Sequence, residues 1–175
     1  SGLADKYSPN TQLGTIGGNI EDSLINWNHP NTQTTFEEIA TFGAPVLGIN
    51  VDRDNSDIVV VALGGFNGNQ KVRKSTDATA ASPSFTGISG DLPSMPCLSV
   101  LMDREDPNEI LVGTEFGLFR TQNGGTSWDY VDSPFGKTAI FDLMQNWRSW
   151  DEGCYATGQV YVGTHGRGIW STNEY

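Results

Sequence analysis

Short apolar runs rich in Val, Ile and Leu alternate along this chain with turns of Asp, Asn, Ser and Gly, and the alternation is periodic. An apolar residue, a glycine and a small residue recur as Leu13-Gly14-Thr15, Leu63-Gly64-Gly65, Val112-Gly113-Thr114 and Val162-Gly163-Thr164, with the glycines 50, 49 and 50 residues apart. Before the last three lies a second apolar run: Val46 to Val51, Leu98 to Met102 and Ala139 to Leu143. Acidic turns, Asp52 to Asp57 and Asp103 to Asn108, join the two runs in the middle copies. Short side-chain acceptors and the preset φ of proline close tight reversals between antiparallel strands. Past the glycine, V-G-T-E-F-G-L-F-R-T from Val112 and V-G-T-H-G-R-G-I-W-S-T from Val162 are the same string with one residue added. Each unit therefore reads strand a, acidic turn, strand b ending in Gly, turn, strand c, polar turn and strand d. Four short strands at this period predict an all-β fold, a β-propeller of four-stranded antiparallel blades.

The chain reads as one propeller segment, 1–175, with blade units at approximately 11–42, 46–89, 97–133 and 138–175. These units carry strands b-c-d, a-b-c-d, a-b-c-d and a-b-c, about four blades. Closure of a ring removes exposed sheet edges, and propellers commonly close by completing one blade with a strand from the other terminus. The expectation is thus the C-terminal part of a larger ring, with its remaining blades as partners. A four-bladed ring and two copies paired in one ring are the alternatives.

The turn between strands c and d of the third unit is Thr121-Gln122-Asn123-Gly124-Gly125-Thr126-Ser127-Trp128. It resembles the Asp-box, S-x-D-x-G-x-T-W, of the BNR-repeat propellers found in sialidases, sortilin-type receptors and xyloglucan-degrading endoglucanases. Thr121, Asn123, Gly125, Ser127 and Trp128 fill the defining positions. An Asn or Asp side chain can accept backbone N–H groups in such a turn, Gly can take positive φ, and Trp buries a large face against a neighbouring sheet. Degenerate copies stand at Ser75, Asp77, Ser84 and Phe85, and at Asn26, Asn28, Thr35 and Phe36, each with three extra residues. These boxes are expected to staple turns rather than to perform chemistry. The string Thr164-His165-Gly166-Arg167-Gly168 resembles the closing blade of surface-exported propellers of the Bacteroidetes.

Charge narrows the partners. With 21 acidic and 10 basic residues the net charge is −11, and binding to nucleic acid or an anionic membrane needs a basic patch. The basic cluster Lys71 to Lys74 falls in a strand c and is expected to be a solvated blade surface. No apolar run is long enough to cross a membrane. Absence of N-glycosylation sequons favours a bacterial source, and the composition suits an extracellular or cell-surface domain. Cys97 and Cys154 are candidates for one disulfide between adjacent blades, with two isolated buried thiols the equal alternative.

Candidate contacts are few. The insertion Gln145 to Thr157 carries Trp147, Trp150 and Tyr155, aromatics that can stack on sugar rings or anchor a protein on the loop of a rigid ring. His165 and Arg167, flanked by glycines, are candidate donors to a sugar or carboxylate, or else ties between blades. No catalytic residue is assigned. Asp91, Asp142, Asp151 and Glu152 are available carboxylates, and glycosidases need a pair across a cleft. The six arginines lack the motif context of a sialidase triad. No metal site or cofactor is expected, although oxygen-rich Asp52 to Asp57 and Asp103 to Glu109 suit calcium. The leading functional expectation is a non-catalytic surface propeller that binds protein or glycan. A polysaccharide-degrading glycoside hydrolase propeller and a structural subunit of a surface assembly are the alternatives.

Overall fold

A computed structural model describes residues 37–174. The chain divides into two units, 1–38 and 39–175, and every element below lies in the second. The expected unit at 11–42, with box positions Asn26, Asn28, Thr35 and Phe36, falls outside the described residues apart from 37–42, which carry no strand.

The first described sheet is β1 (Val46–Val51), β2 (Val59–Leu63), β3 (Val72–Ser75) and β4 (Thr86–Gly87). The second is β5 (Cys97–Met102), β6 (Ile110–Thr114), β7 (Gly117–Thr121) and β8 (Asp129–Tyr130). The third is β9 (Ile140–Gln145), β10 (Val160–Thr164) and β11 (Ile169–Thr172), with β10 in the middle. Every pairing is antiparallel between neighbours in sequence, so each sheet is a simple meander, or blade.

Two apolar layers bind the three blades. Val60, Ala62 and Val72 of the first blade meet Val100, Met102, Ile110, Val112 and Phe119 of the second. Leu101, Leu111 and Leu118, on the other face of the second blade, meet Ile140, Leu143, Val160 and Val162 of the third. Because the middle blade is covered on both sides, β5 and β6 read as nearly unbroken apolar runs instead of an alternation. The first strands β1, β5 and β9 lie next to one another across the blades, so the blades converge on strand a.

One irregularity repeats. A bulge interrupts strand a at Leu47, Leu98 and Phe141, between the pairs Val46–Leu63 and Gly48–Ala62, Cys97–Thr114 and Ser99–Gly113, and Ile140–Thr164 and Asp142–Gly163. The spatial equivalent of Gly113 and Gly163 is therefore Ala62. Gly64 lies two residues past it, beyond the end of β2, so aligning repeats on their glycines slips the first blade by two positions. At Gly113 the demand for glycine is steric, since an added Cβ would collide with Ile140 of the next blade.

The basic cluster is less solvated than its composition suggests. Lys71 is fully buried and donates from Nζ to the Asn67 carbonyl at 2.6 Å. Lys74 donates to Pro107 O at 2.6 Å across the blades, and burial pulls its pKa down against the opposing fields of Asp106 and Asp52. Its long stem lets the charged head reach a carbonyl on the next blade.

Candidate functional site

In a meander of this kind the a–b and c–d turns share one end of the blades and the b–c turns occupy the other. The acidic a–b turns are built by their own carboxylates. Asp52 Oδ1 accepts the N–H groups of Asp54 and Asn55 at 2.9 and 2.8 Å, and Asp103 Oδ1 accepts those of Glu105 and Asp106 at 2.7 and 3.1 Å. Local acceptance of this sort explains the residues. Among the described residues there is no group of three or more His, Cys, Asp or Glu able to hold a metal ion, the calcium candidates included.

The c–d turns of two blades share bonds of one hydrogen-bond circuit despite different lengths. In the second blade Thr121 Oγ1 donates to Asn123 Oδ1 (2.9 Å), Ser127 N–H donates to Asn123 Oδ1 (3.0 Å) and Gly125 N–H donates to Thr121 Oγ1 (3.0 Å). In the first blade Ser75 Oγ donates to Asp77 Oδ1 (2.8 Å) and Ser84 N–H donates to the same oxygen (2.8 Å). These donors, the Ser84 amide first, hold the Asp77 carboxyl below its ordinary value. Trp128 is buried in the layer between the two blades and donates Nε1–H to Ile88 O at 3.1 Å. Gly125, at φ +90°, lies against the backbone of Ile88, where no Cβ has room. Thr121, Asn123 and Ser127 thus close the turn on itself, and Gly125 and Trp128 hold it against the neighbouring blade.

In the third blade the a–b connection is the long loop 146–159, and the preceding blades reach over to it. Arg53 Nη1 donates to Trp147 O at 2.6 Å, and Arg104 Nη1 donates to Trp147 O and Arg148 O at 3.3 and 3.0 Å. The Arg53 guanidinium lies 5.5 Å from the Trp147 ring centre and pairs with Glu152 at 3.6 Å. Gln145 Nε2 donates to Asp103 Oδ2 at 2.8 Å, and its Oε1 accepts Arg104 N–H at 2.9 Å. Farther along, Ser149 N–H and Oγ donate to Glu152 Oε2 at 2.8 and 3.0 Å. The Glu152 carboxyl is held down mainly by the Ser149 amide, and Asp151 mainly by the Ser149 side chain.

Along the inner strands, beneath this loop, runs a cleft of about 590 Å³. Its walls include Asp52 and Arg53, Asp103 and Arg104, Asp142 and Trp147. Trp147 is 55% exposed at this cleft. Trp150 and Tyr155 form an edge-to-face pair at 5.1 Å, remain 65% and 86% exposed, and do not line the cleft.

His165 and Arg167 sit on the β10–β11 turn at the opposite end of the blade. The His165 ring lies edge-on to Phe141 at 5.4 Å, the His165 backbone N–H donates to Ala139 O at 2.8 Å, and Arg167 O accepts Trp170 Nε1–H at 2.8 Å. They do not share a surface with Trp147. Cys97 and Cys154 are both free thiols. Cys97 begins β5, at the end of the blade remote from the loop that bears Cys154, which explains why no bridge joins them. Burial pushes the Cys97 thiol up to about 12. Of the candidate carboxylates, Asp142 lines the cleft, Asp91 accepts the Trp128 N–H at 2.7 Å, and Asp151 and Glu152 belong to the Ser149 turn.

Arg53, Arg104 and Gln145 were not singled out by sequence, yet a signal was there. Val51-Asp52-Arg53, Met102-Asp103-Arg104 and Gln145-Asn146-Trp147 are equivalent in the blade register. The residue two places past strand a is therefore Arg, Arg and Trp in successive blades.

No helix among the described residues is long and apolar enough to cross a membrane. No protein-family model and no curated protein matches the sequence. Among solved structures, an ancestral GH74 enzyme is 17% identical over 71% of this chain and 17% of its own length, with a TM-score of 0.50. A GH74 xyloglucanase from Xanthomonas campestris is 18% identical over 73% of this chain and 22% of its own, with a TM-score of 0.49. The chain thus spans about a fifth of the length of these enzymes. At this identity the likeness is one of fold, and the stacked antiparallel blades are those of a β-propeller.

Proposed function

We propose that this propeller segment belongs to a secreted or cell-surface protein that degrades polysaccharide, a glycoside hydrolase of the GH74 kind, and that its described blades supply carbohydrate-holding surface rather than the general acid. The observation that carries this reading is the cleft along β1, β5 and β9 with Trp147 exposed beside it. A concave site with an aromatic and a few convergent polar groups suits a sugar chain. Likeness of fold to an ancestral GH74 enzyme supports it, as does the c–d turn circuit, which suits an Asp-box.

Binding without catalysis by this part of the protein is favoured by one further observation. Among the described residues, hydrogen bonds from serine hold the Asp77, Asp151 and Glu152 carboxyls below their ordinary values. A general acid of a glycosidase needs the opposite displacement. These three carboxyls are therefore poorly suited to the part of general acid.

The test is titration of the 175-residue chain with soluble xyloglucan, followed by calorimetry, beside a reducing-sugar assay on the natural polypeptide that contains it. Saturable binding weakened by Trp147→Ala is the expected result. A chain that binds no neutral glucan, from a polypeptide that releases no reducing ends, would overturn the proposal.

A further inference from the structure

We infer that Arg53 and Arg104 are positioning residues: together they clamp the Trp147 loop at the rim of the cleft, and ligand binding there depends on both. The part concerning ligand rests on the proposed glycan-binding role; the clamp itself does not.

The inference comes from three equivalent positions that converge. Arg53, Arg104 and Trp147 each lie two residues past strand a in successive blades, and strand a is where the blades meet. Both arginines donate from Nη1 to the loop backbone, while Arg104 Nη2 donates to Glu105 Oε1 at 3.1 Å. Trp147 O takes one bond from each, and Arg148 O takes another from Arg104. Charge-assisted bonds to carbonyls are stronger than neutral ones, and the planar guanidinium reaches two acceptors in a fixed geometry that an ammonium cannot copy. Arg53 engages the loop at two further points, the Trp147 ring at 5.5 Å and Glu152 at 3.6 Å. The Arg104 side chain is 13% exposed, although the carbonyls it bonds belong to exposed residues.

The rest of the loop is held by polar bonds of its own and by Gln145, whose Nε2 donates to Gly158 O at 3.1 Å, rather than by apolar burial. None of the residues of its short 3₁₀ turn, Trp150–Glu152, is buried, and Trp147, Trp150 and Tyr155 are more than half exposed. Its apolar side chains therefore do not fix its place. Backbone bonds close it on itself, Gly158 N–H to Asn146 O at 2.9 Å and Cys154 N–H to Ser149 O at 3.3 Å. The bonds that reach from the first two blades to the Trp147 backbone come from the two arginines. Fixing an aromatic before a ligand arrives removes an ordering cost from binding.

The experiment compares wild type, Arg53→Lys, Arg104→Lys and the double Arg53→Ala/Arg104→Ala variant of the full chain by two readouts. Hydrogen exchange at the amides of Gly153, Cys154 and Gly158 reads the clamp; titration with a xyloglucan oligosaccharide reads the site. The double variant is expected to exchange at these amides about tenfold faster or more, the factor for one lost charge-assisted bond. Exchange in β6 and β10 should be unchanged, and affinity for the oligosaccharide should fall by a similar factor. The lysine variants should lie between, and they keep the test alive if the double variant fails to fold. Unchanged loop exchange in the double variant, or in the lysine variants if the double does not fold, overturns the clamp. Faster loop exchange with undiminished affinity overturns the dependence of binding on it. If wild type binds no oligosaccharide, the glycan role and the dependence fall together while the exchange result still decides the clamp.

Discussion

Trp128 gives the sharpest test of how the blades are held together. Its indole is 6% exposed in the layer between the first two blades, and Nε1–H donates to Ile88 O at 3.1 Å. Two substitutions separate its contributions. Trp128→Phe keeps most of the buried area but leaves the Ile88 carbonyl without this donor, a loss of about 1–3 kcal/mol. Trp128→Ala removes the ring as well. A buried tryptophan takes about 150–250 Å² from water, which at about 25 cal/mol per Å² is worth roughly 4–6 kcal/mol. Measured tryptophan and phenylalanine truncations cost about 3–5 kcal/mol, so about 4 kcal/mol is expected. The bond from Trp128 N–H to Asp91 Oδ1 is made by the backbone and survives both changes. Urea unfolding followed by far-ultraviolet circular dichroism avoids the loss of a fluorophore. With a slope near 2 kcal/mol per M, the midpoint should fall by about 2 M for alanine and by about 0.5–1.5 M for phenylalanine. An alanine variant less than about 1 kcal/mol below wild type, or a phenylalanine variant as damaged as alanine, would refute the staple.

Three other outcomes follow from the same contacts. Asn123→Asp should be tolerated, because the Ser127 hydroxyl can reverse and donate to the carboxylate, whereas Asn123→Ala should cost about 1–2 kcal/mol in urea unfolding by stranding the Ser127 N–H. The Asp77 carboxyl is depressed below 3.8 in the folded chain, so its contribution is complete above 3.8 and is lost as pH falls through the depressed value. Accordingly the stability gap between wild type and Asp77→Ala should be constant near neutrality and shrink below pH 3.8, and a gap that widened on acidification would contradict this sign. Cys97 is buried with its thiol near 12, so a disulfide-exchange reagent at pH 8 should titrate Cys154 alone in the native protein and both cysteines in urea; two fast equivalents from native protein would show the Cys97 layer to be open.

The blades were legible in the sequence because their signals are local. Val46 to Val51 was read as a strand and is β1, and Leu98 to Met102 falls short of β5 by a single residue. Turn chemistry at Asp52 and Asp103 could be read because an aspartate two or three residues from the amides it accepts needs no distant partner. Register was harder. Gly64 looked like the counterpart of Gly113, but the acidic turns are of equal span and pair Val51 with Val59 and Met102 with Ile110, which makes Ala62 the true equivalent. A glycine just past the end of a strand looks in composition like one inside it. The candidate site divided in the same way. Trp147 was visible as an aromatic in an insertion, while its distance from His165 and Arg167 was not, because strand direction, which sends the two turns to opposite ends of the blade, shows only in the sheet.

The sequence by itself determined the all-β class, the four-strand unit and the turn circuits, since each depends on contacts within a few tens of residues. Only the tertiary structure decided which faces of the blades meet, and hence why Trp128 is buried while Trp147 is exposed. Only it revealed that Arg53 and Arg104, ordinary members of two acidic turns, converge on a third blade. Hydrophobic periodicity specifies an element and its buried face. It carries no information on the angle at which one blade lies against the next, and that angle brings residues 94 and 43 positions apart into hydrogen bonds.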